Sequence, residues 1–295
     1  MYAALTQLAE QDPLINLRQD NDRGEVSVSL YGEVQKEVIG ATLAADYGIE
    51  VSFRATTTLC IERLVGVGEA VELIGVEPNL FLATVGLRLE PAPIGTGVRV
   101  DLEVELGSMP RAFFEAIDAT VRNTLREGLS GWPVPDCRVA VIRCGYWPRQ
   151  SHAHATFDKS MSSTGRDFRQ LTPLVVVEAL RQARTQVAEP IHRFDLEIPD
   201  GALPPVLRLL DRAEASVESQ AATGPVVRIQ GVLPAARVHQ LRQDLPGATS
   251  GEGLLDTCFD HYAPVRGPAP TRPRTTPDPM DRKDYLLRVL RRSGH

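Results

Sequence analysis

The sequence predicts an α+β chain in which two ferredoxin-like βαββαβ units flank a middle segment of different pattern, with a short helix at the C-terminus. Three observations carry that prediction. Residues 191–265 show strand and helix periodicities in the order strand, helix, strand, strand, helix, strand, which is the split βαβ unit. Residues 1–75 repeat the order without its opening strand. Residues 76–190 instead hold two strands, two helices and a long polar stretch.

Within 1–75, Tyr2, Leu5, Leu8 and Ala9 fall on one helical face, and Asp12-Pro13 ends that helix. Residues 14–18 and 25–31 alternate, joined by the polar turn 20–24, as a hairpin. A helix over 32–47 follows, with Val34, Val38 and Leu43 apolar and Gly48 as its stop. Residues 49–59 are again rich in β-branched side chains. The missing opening strand belongs inside the sheet, so an unpaired edge is expected, and with it a chain that begins part-way through a domain.

In the middle segment, 98–106 read as a strand and 109–125 as a helix carrying Phe113, Ile117, Val121 and Leu125 on one face. Gly128 to Pro133, Gly-Leu-Ser-Gly-Trp-Pro, is a loop, and 137–144 is a second, apolar strand. No element is assigned to 76–97. Polar residues then run from 148 to 170, a length that in a compact domain is functional or disordered. The next helix is placed at 172–188, because Thr172 suits an N-cap and Pro173 the first helical position.

Residues 191–198 alternate, 203–215 are helical and 216–222 suit a strand. Gly224-Pro225 turns the chain into 226–233, a helix follows at 235–245, and 253–262 closes the unit. The tail is rich in Pro, Arg and Thr before a basic helix at 281–292 with Tyr285, Leu286 and Val289 on one face. The expected divisions are 1–75, 76–190, 191–265 and 266–295.

The net charge of −6 is unevenly spread. Residues 1–75 carry five basic and twelve acidic side chains, whereas 138–184 and 266–295 each carry eight basic and three acidic. Two basic regions on an acidic body suit a polyanion such as RNA, and equally suit ordinary surface charge. No apolar run approaches the roughly 18 residues of a membrane span, and the N-terminus has no basic-then-apolar leader. A cytoplasmic location without membrane contact is expected, with Cys60, Cys137, Cys144 and Cys258 as reduced thiols.

The usual chemistries find little support. The sequence contains no G-x-x-x-x-G-K-[ST] loop, and the glycine pairs Gly66/Gly68, Gly95/Gly97 and Gly251/Gly253 read as turns. Cys137 and Cys144 with His152 and His154 match no zinc spacing, and both thiols fall on an apolar strand. Ser162 or Ser163 with either histidine lacks a nucleophile elbow and an orienting acid. No catalytic residue, metal site or small-molecule substrate is expected.

The residues Gly32-Glu33, Val38-Ile39 and 47–51, Tyr-Gly-Ile-Glu-Val, resemble the third domain of elongation factor G-like translational GTPases. Glu127-Gly128-Leu129, Gly131-Trp132-Pro133-Val134 and Asp136 resemble the glycine turn of that family's fourth domain. Asp167-Phe168-Arg169, the run 171–175, Glu189-Pro190, Pro273-Arg274, Asp278-Pro279, Asp281-Arg282 and Tyr285 are most similar to the tetracycline-resistance ribosomal protection proteins, in their actinobacterial oxytetracycline-resistance branch. The resemblance covers nearly the whole chain in collinear order.

It implies the last three of five domains: a ferredoxin-like third domain, an S5-like fourth and a ferredoxin-like fifth. GTP and Mg would belong to an absent GTPase domain, so this chain itself would be no enzyme. The implied partner is the bacterial ribosome, through 16S rRNA at the decoding region and ribosomal proteins, with no DNA. A loop of the fourth domain would reach that region and dislodge tetracycline. The corresponding residues here are Lys159, Ser160, Met161, Ser162, Ser163, Thr164, Arg166, Phe168 and Arg169. Relatives tend to carry Tyr-Ser-Pro-Val where this chain has Lys159-Ser160-Met161-Ser162. Lys159, Arg166 and Arg169 suit phosphate contacts, and Met161 and Phe168 suit packing on unstacked bases. Phe168 equally suits an anchor that closes the loop onto its helix. The terminal helix offers Arg282, Lys283, Arg288, Arg291 and Arg292, either to the fourth domain or to the ribosome. Two further readings stay open: a translation factor fragment without a resistance role, and a free-standing ferredoxin-like binding module.

Overall fold

The computed structural model of the chain describes residues 2–11, 16–20, 25–29, 33–51, 58–105, 107–148 and 162–291. The chain divides into two compact units, one of Met1–Thr58 with His192–Asp260 and one of Leu59–Ile191 with His261–His295.

The first unit opens with α1 (Tyr2–Gln11), the hairpin β1 (Asn16–Asp20) and β2 (Glu25–Ser29), and α2 (Glu33–Tyr47). The hairpin is antiparallel with Leu17 opposite Val28. Ala4 and Leu5 of α1 and Ile39 and Leu43 of α2 make a small apolar core of their own. Gly48 ends α2 at φ +63°, as expected of a glycine stop. Residues 49–51 form no strand, and 52–57 lie outside the described residues.

The expected boundary at 75 shifts. β3 (Ile61–Leu64) and β4 (Gly68–Glu72) lie in the second unit, where β4 pairs with β5 (Ala83–Pro91). β3, β4 and β5 are all strands that sequence reading leaves out, although in β5 Ala83, Val85, Leu87 and Leu89 alternate and are all fully buried. With β6 (Val98–Leu102) and β7 (Cys137–Tyr146) the order is β4-β5-β7-β6, the last pair parallel around α3 (Arg111–Thr124). One face of this sheet packs on α3 and on α4 (Gly165–Ala183), through Ile117, Val121, Leu171 and Val175. Gly68 is no turn residue: a Cβ there would sit 2.0 Å from the Ala179 carbonyl oxygen, so the glycine lets α4 lie on β4.

α4 starts seven residues ahead of the expected Thr172. Thr164 caps it: its backbone N–H and hydroxyl both donate to Asp167 Oδ2, at 2.8 and 2.6 Å. Thr172 lies inside the helix and its hydroxyl donates to the Phe168 carbonyl at 2.7 Å. Pro173 is carried within the helix because Phe168, Leu171, Leu174 and Val175 keep one face buried, and that burial outweighs the lost backbone bond. The helix also stops early, at Arg184 with φ +59°, and 185–188 pair with β3 instead.

β8 (Thr185–Pro199) carries the chain back to the first unit. α5 (Leu203–Arg212), β9 (Ser216–Thr223), β10 (Val226–Pro234), α6 (Ala235–Thr249) and β11 (Leu254–Pro264) follow, each within a few residues of expectation. The strand order β11-β8-β10-β9 is that of a ferredoxin-like sheet. Its core gathers Phe194, Leu196 and Ile198 with Val206, Leu210, Leu241 and Leu245. The chain ends with α7 (Arg282–Arg291) in the second unit. No described helix is long and apolar enough to cross a membrane.

Candidate functional site

The polar stretch begins where β7 ends and finishes where α4 starts, at one end of the second unit's sheet. Lys159, Ser160 and Met161 lie outside the described residues, as do His152 and His154. The two ends of the stretch are tied together by Ser163. Its N–H donates to the Trp147 carbonyl at 3.0 Å, its Oγ accepts from the Trp147 N–H at 2.7 Å, and its hydroxyl donates to the Leu82 carbonyl. Asp167 joins the same knot, accepting from the Leu82 N–H at 3.3 Å. Ser163, Thr164 and Asp167 therefore hold the base of the loop, and their side chains are spent on that.

Phe168 resolves in favour of the anchor. It is fully buried and stacks on Phe113 with ring centroids 4.6 Å apart, while Phe113 meets Tyr146 edge-on at 5.7 Å. A base-packing role for Phe168 is thereby excluded, because its ring is covered by the unit's own core. Arg166 and Arg169 are exposed on the first two turns of α4. Their position is electrostatically costly, since the N-terminal end of a helix carries partial positive charge and favours anions. Asp167 in the same turn answers the helix dipole, and the two arginines add exposed positive charge on either side of it in sequence.

The terminal helix docks on this unit. Tyr285 is buried and its hydroxyl donates to the Gln170 carbonyl at 2.8 Å, and burial pushes that phenol well above its ordinary range. Gln170 Nε2 donates to the Val289 carbonyl at 3.3 Å, and Arg181 donates to the Met280 carbonyl at 3.0 Å. α7 thus runs antiparallel to α4 and brings its C-terminal end toward the arginine-bearing start of α4. Arg282 is no free phosphate contact: it grips Glu72 through two bonds of 2.5 and 2.9 Å and the Pro78 carbonyl at 2.8 Å. Lys283 is exposed, and Arg288 is exposed beside Asp284 at 2.7 Å. Arg292 and the side chain of Arg291 lie outside the described residues.

A second knot positions the tail. Glu62 is fully buried, and its carboxylate accepts from the N–H groups of Leu129 and Ser130 at 2.8 Å and of Trp132 at 3.1 Å. The Thr185 hydroxyl adds a fourth bond at 2.7 Å. Gly128 makes room for it, since a Cβ there would stand 2.6 Å from the carboxylate. The other side of this turn holds the tail: Trp132 Nε1 donates to the Pro270 carbonyl at 2.7 Å and the Arg272 N–H to the Ser130 carbonyl at 2.8 Å. Glu127 accepts from the Thr275 N–H and hydroxyl at 2.8 and 2.5 Å and from the Thr276 hydroxyl at 2.8 Å. Burial raises the Glu127 carboxyl, but the bonds from Thr275 and Thr276 together hold it below its ordinary range.

Sequence reading misses Glu62 and Trp147. A lone acid inside the run Cys60-Ile61-Glu62-Arg63-Leu64, and a tryptophan entering a polar stretch, are the available signals. Cys137 is fully buried and its thiol is pushed up to about 12 by burial first and Asp136 second, which suits a packing role. Cys144 Sγ lies 3.1 Å from the Ser108 hydroxyl. Among the described residues no three His, Cys, Asp or Glu side chains converge as metal ligands.

Comparison with known proteins places these features. Residues 72–184 match the family model for elongation factor G, domain IV, and residues 186–273 match that for the elongation factor G C-terminus. The chain is 42% identical to the oxytetracycline resistance protein of Streptomyces rimosus over 99% of its own length and 43% of that protein's. It is 35% identical to the tetracycline resistance protein TetP of Clostridium perfringens over 98% of the chain and 43% of the relative. For TetO of Campylobacter jejuni the figures are 32%, 98% and 44%. The chain spans less than half the length of these relatives. A solved structure from Thermus thermophilus matches its fold with a TM-score of 0.64, at 23% identity, over 98% of this chain and 40% of the other.

Proposed function

We infer function from membership: across residues 72–184 and 186–273 the chain belongs to the elongation factor G family. Within that family its relatives named above are tetracycline and oxytetracycline resistance proteins. Our reading is that this chain is the ribosome-contacting half of a ribosomal protection factor, working in the cytoplasm of a bacterium. The loop between β7 and α4 is inserted near the decoding site, against 16S rRNA, where its presence dislodges tetracycline. Nucleotide binding and hydrolysis belong to the parent protein, outside these residues, and set when the loop arrives and leaves.

The observation that carries the reading is the paired arginines at the start of α4. Arg166 and Arg169 are exposed in the first two turns of α4, on either side in sequence of the capping Asp167, and offer an rRNA phosphate their charge. Lys159 belongs to the same basic stretch in sequence. Each phosphate so neutralised releases counterions, and that release drives association. The knot of Ser163, Asp167 and Leu82 fixes the two ends of the loop, so little ordering entropy remains to be lost at its base on binding. α7 adds the exposed Lys283 and Arg288, the latter beside Asp284.

Chemical probing of 16S rRNA tests this. Ribosomes incubated with the chain should gain protection at nucleotides of the decoding region, and the Arg166→Ala/Arg169→Ala variant should lose most of it. Protection confined to other parts of the ribosome, unaltered in that variant, would overturn the assignment.

A further inference from the structure

The sheet of the second unit has a second face, turned away from α3 and α4, and its two ends differ. Toward the far end, Arg88 is shared among Glu69, Glu90 and Glu103, and Arg138 among Glu90, Asp101 and Glu103. Those charges cancel within the sheet. Toward the end where β7 runs out, Arg143 is exposed and forms no ion pair among the described residues. Beside it Val71 of β4 is 40% exposed. Between them Gly86 is buried: a Cβ there would stand 2.7 Å from Arg143 Cβ and 3.0 Å from Val71 Cγ2, so the glycine lets those two side chains close over β5. Gly145 follows on β7, where a Cβ would stand 3.2 Å from Thr84 Cβ. Trp147 follows on the same side by the alternation of β7. Its indole is 40% exposed and its Cζ2 lies 4.0 Å from where a Gly75 Cβ would be.

We propose that this end of the sheet is a platform for an unstacked RNA base, with Trp147 as the stacking surface and Arg143 as the contact to the neighbouring phosphate. Every base has a π-face, and aromatic side chains on sheet surfaces bind single strands through it. Trp147 suits the role because its backbone N–H and carbonyl are both bonded to Ser163, so the point from which the exposed ring projects is fixed before anything binds. RNA is favoured over a protein partner by charge: the face arginines elsewhere are neutralised, Arg143 is not, and Ser163, which clamps Trp147, directly precedes the arginine-bearing start of α4. The proposal rests on the ribosomal reading for the source of the RNA, and on the sheet alone for its chemistry.

The chain has two tryptophans, and Trp132 is buried, so Trp147 is the one whose fluorescence a ligand can quench. The chain is titrated with a single-stranded oligouridylate and with an RNA duplex of equal length, and separately sedimented with ribosomes. Saturable quenching by the single strand, weaker by the duplex, is expected. Arg143→Ala and Trp147→Ala should each lose at least about fivefold in ribosome affinity, with Trp147→Phe recovering most of it. Equal quenching by duplex and single strand, or an unchanged affinity for Trp147→Ala, would overturn the platform. Wild-type and Trp147→Ala chains that sediment equally well leave the ribosomal reading standing and remove the platform. A chain that is quenched by single strands yet ignores ribosomes does the reverse. Quenching by neither RNA, with ribosome binding that Trp147→Ala weakens only after ribosomal proteins are present, would assign the face to a protein and refute the proposal.

Discussion

Replacing Glu62 by Ala isolates what the buried carboxylate contributes to the turn that carries the tail. The change removes the acceptor for three backbone N–H groups at 2.8, 2.8 and 3.1 Å and for the Thr185 hydroxyl at 2.7 Å. Each buried donor left without a partner costs about 1–3 kcal/mol, and water entering the void would meet some of them, so a loss of about 3–5 kcal/mol is expected. Glu62→Gln keeps the volume but turns an amide N–H toward donors, and should cost about 1–3 kcal/mol. The assay is urea unfolding in a Trp147→Phe background, where Trp132, which sits in this turn, is the sole tryptophan and reports the second unit's transition. A Glu62→Ala loss below about 1 kcal/mol would mean that the turn does not depend on those bonds, and would refute the reasoning.

Two further outcomes follow from the same region. Gly131 has φ +84°, and a Cβ there would stand 2.0 Å from the Arg272 carbonyl oxygen. Gly131→Ala should therefore cost about 3 kcal/mol or more and expose the Arg274–Thr275 bond to limited trypsin digestion; an undigested tail would contradict this. The Glu127 carboxyl titrates below its ordinary range in the folded chain, so its contribution is complete above the ordinary carboxylate value of 4.5 and is lost as pH falls through the lowered folded value. The urea midpoint of the wild type should exceed that of Glu127→Gln at neutral pH and converge on it in acid, and a gap that persists at low pH would contradict the assignment.

The ferredoxin-like unit at 191–265 is legible because its signals are local. Alternation, glycine turns and helical faces there agree with one another, and the strand order follows from the element order. The start of α4 misleads for a local reason too. Thr172-Pro173 is a genuine start signal, but the Thr164–Asp167 capping box precedes it and the buried face from Phe168 onward carries the helix through the proline. β4 goes unassigned because Gly66 and Gly68 read as a turn, when Gly68 marks a close approach of α4. The site is legible only in part. The arginines, the serines and the basic terminal helix stand out in composition, whereas the partners of Glu62 lie 67 to 123 positions away along the chain and those of Arg282 more than 200. No periodicity encodes a buried carboxylate's choice of amides, and nothing in the sequence distinguishes the arginine that holds α7 in place from those that stay exposed.

Sedimentation with 70S ribosomes across a salt series tests the central claim most directly, using the wild-type chain beside the Lys159→Ala/Arg166→Ala/Arg169→Ala variant. The account predicts binding at low salt that weakens steeply as salt rises, and a logarithmic salt slope shallower by about 2 in the variant, the loss of roughly three phosphate contacts. Ribosome binding with the same slope and affinity in both chains, or none at low salt, would contradict it.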